Sequence, residues 1–183
     1  MADAVNPVPS DRRGGVFALS RRSRRTLTGL AGAAAAAALA VGLLTGAHMG
    51  RHPAPPLPRA VVHPPAVTIA SLRGHPAVIV FWASSCIPCH AEAAAIERAA
   101  RARIRGARVV GVDYSDDLGY ARAFIKRYGW SFPNLADPDG TAGERFGLTG
   151  LPTTIVLDAQ GRITATLLGA QTVRSLDAAL AAA

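Results

Sequence analysis

An apolar, β-branched run leads without a break into two cysteines: Ala77-Val78-Ile79-Val80-Phe81-Trp82-Ala83-Ser84-Ser85-Cys86-Ile87-Pro88-Cys89. The run has the pattern of a strand that is buried on both faces of a sheet containing parallel strands. The Ala-rich segment from Cys86 to about Arg103 predicts a helix, with Pro88 in its first turn, where a missing N–H does no harm. Cys86 is therefore expected at a helix N-terminus directly after a buried strand.

Further elements follow the cysteines along the chain. The patterns predict a strand over 107–113, a helix from Leu118 to Tyr128 capped by Asp116 or Asp117 and closed by Gly129, a short helix near 141–146, a β-hairpin over 153–168 and a last helix over 172–181. The order β-α-β-α-(α)-β-β-α begins with a crossover and ends with a hairpin. This order predicts an α/β fold with a mixed central sheet flanked by helices.

The sequence has two cysteines, spaced C-x-x-C. A disulfide that closes so short a loop stabilises a fold very little, and the role of the pair is therefore chemical. A thiol attacks a disulfide only as the thiolate, which unpaired N–H groups and the dipole at a helix N-terminus stabilise. Cys86 is the expected attacking thiol, and Cys89, one turn further in, is the expected resolving thiol.

Three other interpretations of the pair stay open. It could be a structural disulfide, or, with His90, part of a zinc site that lacks a fourth ligand. The segment Cys86-Ile87-Pro88-Cys89-His90 also satisfies the C-x-x-C-H pattern of haem c attachment. Such a haem usually needs a distal ligand to its iron, and the methionines, Met1 and Met49, lie outside the predicted domain. The buried strand before the motif also leaves little room for a porphyrin. His90 is expected beside the sulfurs, where its protonated form would favour the thiolate.

The N-terminus has the pattern of a membrane segment. Residues 1–26 hold six Arg and two Asp, and residues 27–47 are uncharged, long enough to span a bilayer. The positive-inside rule predicts a cytoplasmic tail over 1–26, a transmembrane signal anchor over 27–47 and everything after it on the outer side. A cleaved signal peptide is the alternative, because Thr45-Gly46-Ala47 offers small residues, and Ser23-Arg24-Arg25 faintly resembles a twin-arginine signal.

The next residues predict a linker and then one domain. Residues 48–65 include six prolines, at positions 53, 55, 56, 58, 64 and 65, which favour a stiff, extended spacer without helix or sheet ladders. Residues 66–183 form the predicted domain. Residues 48–183 carry fourteen basic and ten acidic side chains, and no aromatic residues interleave with the arginines of 101–108. Nucleic-acid binding is therefore not expected.

Two motifs carry a resemblance to a known family. Phe81 to Cys89 and Gly150-Leu151-Pro152-Thr153-Thr154 resemble the thioredoxin superfamily, and more closely its membrane-anchored, extracytoplasmic TlpA/ResA/DsbE branch. Further matches extend the resemblance over about residues 68–180. It departs in two places: the family's N-terminal hairpin is shortened here, and Ala93 stands where a proline often follows the glutamate of the branch.

The resemblance implies roles for seven residues. A cis proline at Pro152 would lie against the cysteine pair, and substrate chains would bind around Trp82, Pro88, Leu151 and Pro152 beside the catalytic Cys86 and Cys89. Thioredoxin has a buried Asp where Val80 stands, whereas the branch uses a Glu three residues after the second cysteine, which Glu92 matches. Glu92 would exchange a proton with Cys89; alternatively, it is only an acid favoured by the helix dipole.

The resemblance also implies a function. It predicts a thiol–disulfide oxidoreductase, anchored by a single span with its domain outside, that needs no cofactor beyond its own disulfide. Its partners would be protein disulfides, characteristically the C-x-x-C-H thiols of apocytochrome c, and a membrane thiol electron donor. A disulfide-forming oxidase is the alternative within this class. A haem-carrying or redox-sensing anchored module is the alternative outside it.

Overall fold

A computed structural model describes residues 51–183. These residues form six strands, β1 Ala60–His63, β2 Ala77–Trp82, β3 Arg108–Tyr114, β4 Asn134–Asp137, β5 Thr153–Leu157 and β6 Ile163–Leu168. The α-helices are α1 Ile69–Leu72, α2 Ile87–Ala102, α3 Leu118–Tyr128, α4 Thr141–Arg145 and α5 Val173–Ala181, with a 3₁₀ turn at Ile104–Gly106.

The strands form one mixed sheet in the order β1-β4-β3-β2-β5-β6. β2 lies at its centre, parallel to β3 and antiparallel to β5. β4 is parallel to β3 and antiparallel to β1, while β5 and β6 form the hairpin. The predicted thioredoxin-like α/β architecture with a mixed sheet is confirmed. The central strand β2 ends directly before the cysteines and so places them at the middle of one edge of the sheet.

Both faces of the sheet are buried at its central strand. All six residues of β2 are buried, and alternate side chains enter different cores. Val78, Val80 and Trp82 pack with α2, α3 and α5, whereas Ile79 and Phe81 pack with Leu72 of α1 and with Phe146. This burial on both sides is the reason for the continuous apolar run.

The predicted helix ends are confirmed where local signals define them. Cys86 is the N-cap of α2, and Asp117 caps α3 by accepting hydrogen bonds from the N–H groups of Gly119 and Tyr120. Gly129 ends α3 with φ of 62°, a left-handed conformation that glycine adopts without steric cost.

The sequence patterns did not indicate β4. Its four residues lie between Pro133 and Pro138 and include only two apolar side chains, Leu135 and Ala136. All four are nevertheless buried, because β3 and β1 pair with the two edges of the strand. The topology is therefore β-α-β-α-β-α-β-β-α from β2 onward, with a second parallel crossover that the sequence did not indicate.

The prediction of a spacer without sheet pairing over 48–65 is wrong for its described part. Ala60–His63 form edge strand β1, and Pro53 bridges to Arg162 while Leu57 is buried. The four residues of β1 include no proline, and an edge strand needs hydrogen bonds on one side only. The prolines of this segment flank β1 and therefore do not prevent its pairing, and β1 supplies a strand where the resemblance expected a longer hairpin.

The predicted cytoplasmic tail and transmembrane segment lie outside the described residues. Within residues 51–183, no helix is both long enough and apolar enough to cross a membrane.

Candidate active site

The redox centre lies where β2 gives way to α2. Residues 83–86 form a turn in which the Cys86 N–H donates to the Ala83 carbonyl at 3.2 Å. Cys86 then caps α2: the Cys89 N–H lies 3.0 Å from the Cys86 carbonyl oxygen and 3.2 Å from Cys86 Sγ. An N–H group aimed at this sulfur stabilises negative charge on it.

Cys86 and Cys89 are joined by a disulfide. Cys86 is half-buried, whereas Cys89 is only 1% exposed. An incoming thiol or disulfide therefore has access to Cys86 and not to Cys89. The difference in exposure fits Cys86 as the attacking thiol and Cys89 as the resolving thiol.

Ser84 is held from two sides in the turn before the cysteines. Its N–H donates to Asp116 Oδ2, which reaches it from the loop after β3. Its carbonyl oxygen lies 2.8 Å from His90 Nε2, and His90 Nδ1 lies 2.7 Å from the Tyr128 hydroxyl. Since a carbonyl oxygen only accepts, Nε2 carries the proton of that contact and Nδ1 can accept from the hydroxyl.

Both ring nitrogens of His90 are therefore used to hold the turn. The expectation that His90 lies beside the sulfurs with a nitrogen free to act on them is wrong. This arrangement also does not fit haem c attachment. Such a haem needs both sulfurs for thioether bonds and an imidazole nitrogen for iron. Here Cys89 is buried in the core and both nitrogens of His90 are engaged.

The Leu151–Pro152 segment lies beside the cysteine turn. Its peptide bond is cis, as the resemblance implied. β5 is antiparallel to β2 with Thr153 opposite Phe81, so that the two residues before Thr153 lie next to the end of β2. Cys86 and Leu151 pack against the same core cluster, and Pro152 is buried.

Two further predicted substrate-binding residues behave differently. Pro88 is exposed in the first turn of α2, next to Ile87, which is 82% exposed. Trp82 is completely buried and donates its indole N–H to Asn134 Oδ1 at 3.0 Å. The expectation that Trp82 binds substrate is therefore wrong for its side chain, which stacks on Phe124 beneath the site.

Gly111 makes this buried arrangement possible. It lies on β3 opposite Asn134 of β4, and a Cβ at position 111 would lie 2.7 Å from Asn134 Cγ and 2.9 Å from Trp82 Nε1. Glycine is required because no larger residue leaves room for the hydrogen bond between Trp82 and Asn134.

Glu92 lies three residues after Cys89, on the same face of α2. It is 2% exposed, and its Oε2 accepts a hydrogen bond from the Gln171 N–H at 2.7 Å, while its Oε1 has no partner. Burial raises the pKa of Glu92 to about 7, although the hydrogen bond from Gln171 acts in the opposite direction. A carboxyl with this pKa can both accept and release a proton near neutral pH.

The comparisons with known proteins agree with this geometry. The sequence model of the Redoxin family matches residues 36–180, most of the chain. The chain belongs to the Redoxin family. Its fold is thioredoxin-like, with a cysteine pair at the N-terminus of α2.

Named relatives of this Redoxin protein include a thiol:disulfide interchange protein and a secreted antigen. Thiol:disulfide interchange protein DsbE of Allochromatium vinosum is 39% identical over 93 residues, which cover 50% of each chain. Soluble secreted antigen MPT53 of Mycobacterium tuberculosis is 35% identical over 95 residues, 52% of this chain and 54% of that protein. The match thus spans about half the length of these curated relatives.

A solved structure covers more of the domain. The secreted Mycobacterium tuberculosis disulfide oxidoreductase homologous to E. coli DsbE has a TM-score of 0.62 and 28% identity. The match covers 69% of this chain and 96% of that one.

The sequence of this Redoxin domain indicated no active-site role for two acids near the turn, and Asp116 was expected only as a possible cap of α3. Asp113 ends the buried part of β3, and Asp116 holds the Ser84 N–H. One signal was present: an acid at the end of an apolar strand that is parallel to the strand carrying the cysteines. Gln171, the partner of Glu92, gave no such signal because it lies 79 positions away.

Proposed function

We propose that this protein is a thiol–disulfide oxidoreductase that works outside the cytoplasm and reduces disulfides of exported proteins. The observation that carries the proposal is the exposed-to-buried pair at the N-terminus of α2: a half-buried Cys86 bonded to a buried Cys89, beside Leu151 and Pro152. We further propose that the pair needs no cofactor.

The reaction proceeds by two exchanges. The Cys86 thiolate attacks one sulfur of a substrate disulfide, forms a mixed disulfide and releases the other substrate sulfur as a thiolate. The Cys89 thiolate then attacks Cys86 Sγ, which closes the Cys86–Cys89 disulfide and releases the second substrate thiol. A dithiol donor regenerates the reduced pair by the reverse steps and itself becomes a disulfide.

The finer parts of the proposal rest on the sequence. An uncharged segment over 27–47 behind a basic tail supports a membrane anchor and an extracytoplasmic domain. The resemblance to the TlpA/ResA/DsbE branch supports apocytochrome c as the characteristic substrate and a membrane thiol carrier as the electron donor. The bound substrate chain would contact Pro88, Leu151 and Pro152.

The reduction potential tests the direction of electron flow. We expect the domain, equilibrated with glutathione buffers and analysed by thiol alkylation and mass spectrometry, to have a potential below that of the glutathione couple. A potential near the about −120 mV of strongly oxidising disulfide enzymes would instead identify a disulfide-forming oxidase. The initial rate with a disulfide-bonded C-x-x-C-H peptide, compared with a peptide of scrambled sequence, tests the substrate.

Replacing Glu92 by glutamine tests its role as proton partner of Cys89. Glutamine retains an acceptor for the Gln171 N–H but cannot take up a proton. We expect the resolving step to slow by about 100-fold, in the range of general acid–base catalysis, while the first attack by Cys86 changes by less than about threefold. Single-turnover quenched flow resolves the two steps, and the pH profile of the second should lose its inflection near 7.

Glu97→Gln is the matched control, because Glu97 lies on the same helix and is also buried, but binds Ser131 and Arg101. If Glu92→Gln and Glu97→Gln give the same rate and pH profile of the resolving step, Glu92 is not the proton partner.

A further inference from the structure

Asp113 lies on the helix side of the sheet, beside the residue that leads into the active-site turn. Its register partner on β2 is Trp82. Side chains alternate along β3, and Asp113 falls on the face that packs against α2 and α3. It is 1% exposed, and its Oδ1 has no hydrogen-bond partner. Such a carboxyl is favoured in its neutral form.

Asp116 has the opposite character. Its Oδ1 accepts the Asp117 N–H at 2.8 Å, and its Oδ2 accepts the Ser84 N–H. Burial by itself would raise the pKa of Asp116, but these hydrogen bonds lower it below its ordinary value. Asp116 is therefore a carboxylate held by two backbone donors.

The two acids influence each other. Burial raises the pKa of Asp113 to about 8, and the negative charge of Asp116, hydrogen bonding to it and the charge of Asp117 act in the same direction. A neutral Asp113 has a proton to donate, whereas a charged one would place a second carboxylate against Asp116. Two close carboxyl groups that share one proton avoid this repulsion.

We propose that Asp113 and Asp116 form a carboxylic acid–carboxylate pair, in which the proton held by Asp113 keeps Asp116 in place as a positioning residue for the active-site turn. Asp113 stands three positions before Asp116, near the end of β3; Asp116 accepts the N–H of Ser84, and the turn continues from Ser84 to Cys86. This inference goes beyond the proposed function, since it concerns the reduction of Cys86 by any partner.

The described residues around the pair provide no positive charge that would replace this proton. Within residues 51–183, neither acid forms an ion pair with a Lys, Arg or His side chain. Asp117 adds a negative charge from the same loop, whereas His90 of α2 and Tyr128 of α3 reach only the carbonyl side of Ser84. The adjacent pair of Trp82 and Asn134 is neutral and already hydrogen-bonded.

The pair couples to the redox state through charge and position. Loss of the Asp113 proton adds a negative charge beneath the turn and weakens the hydrogen bond from the Ser84 N–H to Asp116. Both changes disfavour a thiolate on Cys86. By linkage, the thiolate of the reduced form must raise the affinity of Asp113 for its proton by the same factor.

The test compares the wild type with Asp113→Asn in glutathione equilibria between pH 6 and 10. The asparagine amide can donate to Asp116 at every pH. We expect the ratio of the reduction equilibrium constants, wild type over variant, to be constant below about pH 7 and to fall by about three- to tenfold across the ionisation of Asp113. Taking the ratio removes the contributions of glutathione and Glu92.

Asp139→Asn is the control, because Asp139 is an exposed acid that accepts the Thr141 N–H in a distant turn. Its ratio to the wild type should stay flat over the whole range. A flat ratio for Asp113→Asn as well would overturn the proposal. The result does not depend on the physiological substrate or the direction of electron flow, so that failure here leaves the proposed function untouched.

A second measurement reads the pair directly. Carbon-13 NMR of the aspartate carboxyl groups in the oxidised protein should show Asp113 titrating near pH 8. In Asp116→Asn the midpoint should fall by about one pH unit, because the neighbouring charge is gone. An unchanged midpoint in that variant would show that the two carboxyl groups do not share a proton.

Discussion

Cys86→Ser is expected to lower kcat/KM by at least about 1000-fold, equivalent to about 4 kcal/mol of activation free energy. A serine hydroxyl cannot replace the thiolate as nucleophile. Cys89→Ser should behave differently, because Cys86 still attacks but nothing resolves the product. We expect that variant to accumulate the mixed disulfide, seen as an added mass that reducing agent removes.

The double variant Cys86→Ser, Cys89→Ser is the control and should form no adduct. Adduct on Cys89 in the Cys86→Ser variant, at the rate seen for Cys86, would contradict the order of attack. Since the sequence has two cysteines, Cys89→Ser carries one thiol. A membrane-impermeant maleimide should label it in spheroplasts, whereas protection until lysis would contradict the extracytoplasmic placement.

The free energy of unfolding of the oxidised domain is expected to fall as the pH rises from about 5 to about 8. Burial raises the pKa of Glu92 from 4.5 to about 7 and that of Asp113 from 3.8 to about 8. The folded state thus holds these protons more tightly than the unfolded state does. Their stabilising contribution is complete below pH 4 and is lost up to the folded pKa values. The loss is at most on the order of 3 kcal/mol for Glu92 and 6 kcal/mol for Asp113.

Urea unfolding of the oxidised protein at several pH values measures this loss. Asp113→Asn and Glu92→Gln should each be more stable than the wild type at pH 8.5, by about 2 kcal/mol, and should approach it at pH 5. Hydrogen bonds lower the pKa of Asp116 and Asp139, so that their contribution is lost only as the pH falls below about 4. A free energy of unfolding of the wild type that does not change from pH 5 to 8.5 would contradict the raised pKa values of Glu92 and Asp113.

Local signals accounted for the elements that could be predicted. The apolar run over 77–82 is buried on both sides, Asp117 and Gly129 delimit α3, and Cys86 caps α2. Each of these signals acts within a few residues of the element that it defines. Sequence patterning is reliable there because the physical cause is equally local.

Two strands could not be predicted because their cause is distant. β4 has weak strand propensity and is stabilised by pairing with β3 and β1. β1 lies in a proline-rich segment and pairs with β4, more than seventy positions later along the chain. Neither strand would form in isolation, since an unpaired strand leaves its N–H and carbonyl groups without partners.

The sequence alone determined that Cys86 and Cys89 lie at a helix N-terminus with the C-x-x-C spacing of a redox pair, because the spacing, the preceding strand and Pro88 all lie within residues 77–89. Tertiary structure decided which acidic groups lie near that pair and what their pKa values are. Glu92 depends on Gln171, 79 positions away, and Ser84 depends on Asp116, 32 positions away. The pKa values of buried acids follow from the desolvation and hydrogen bonds that distant segments supply, and only the folded chain brings those segments together.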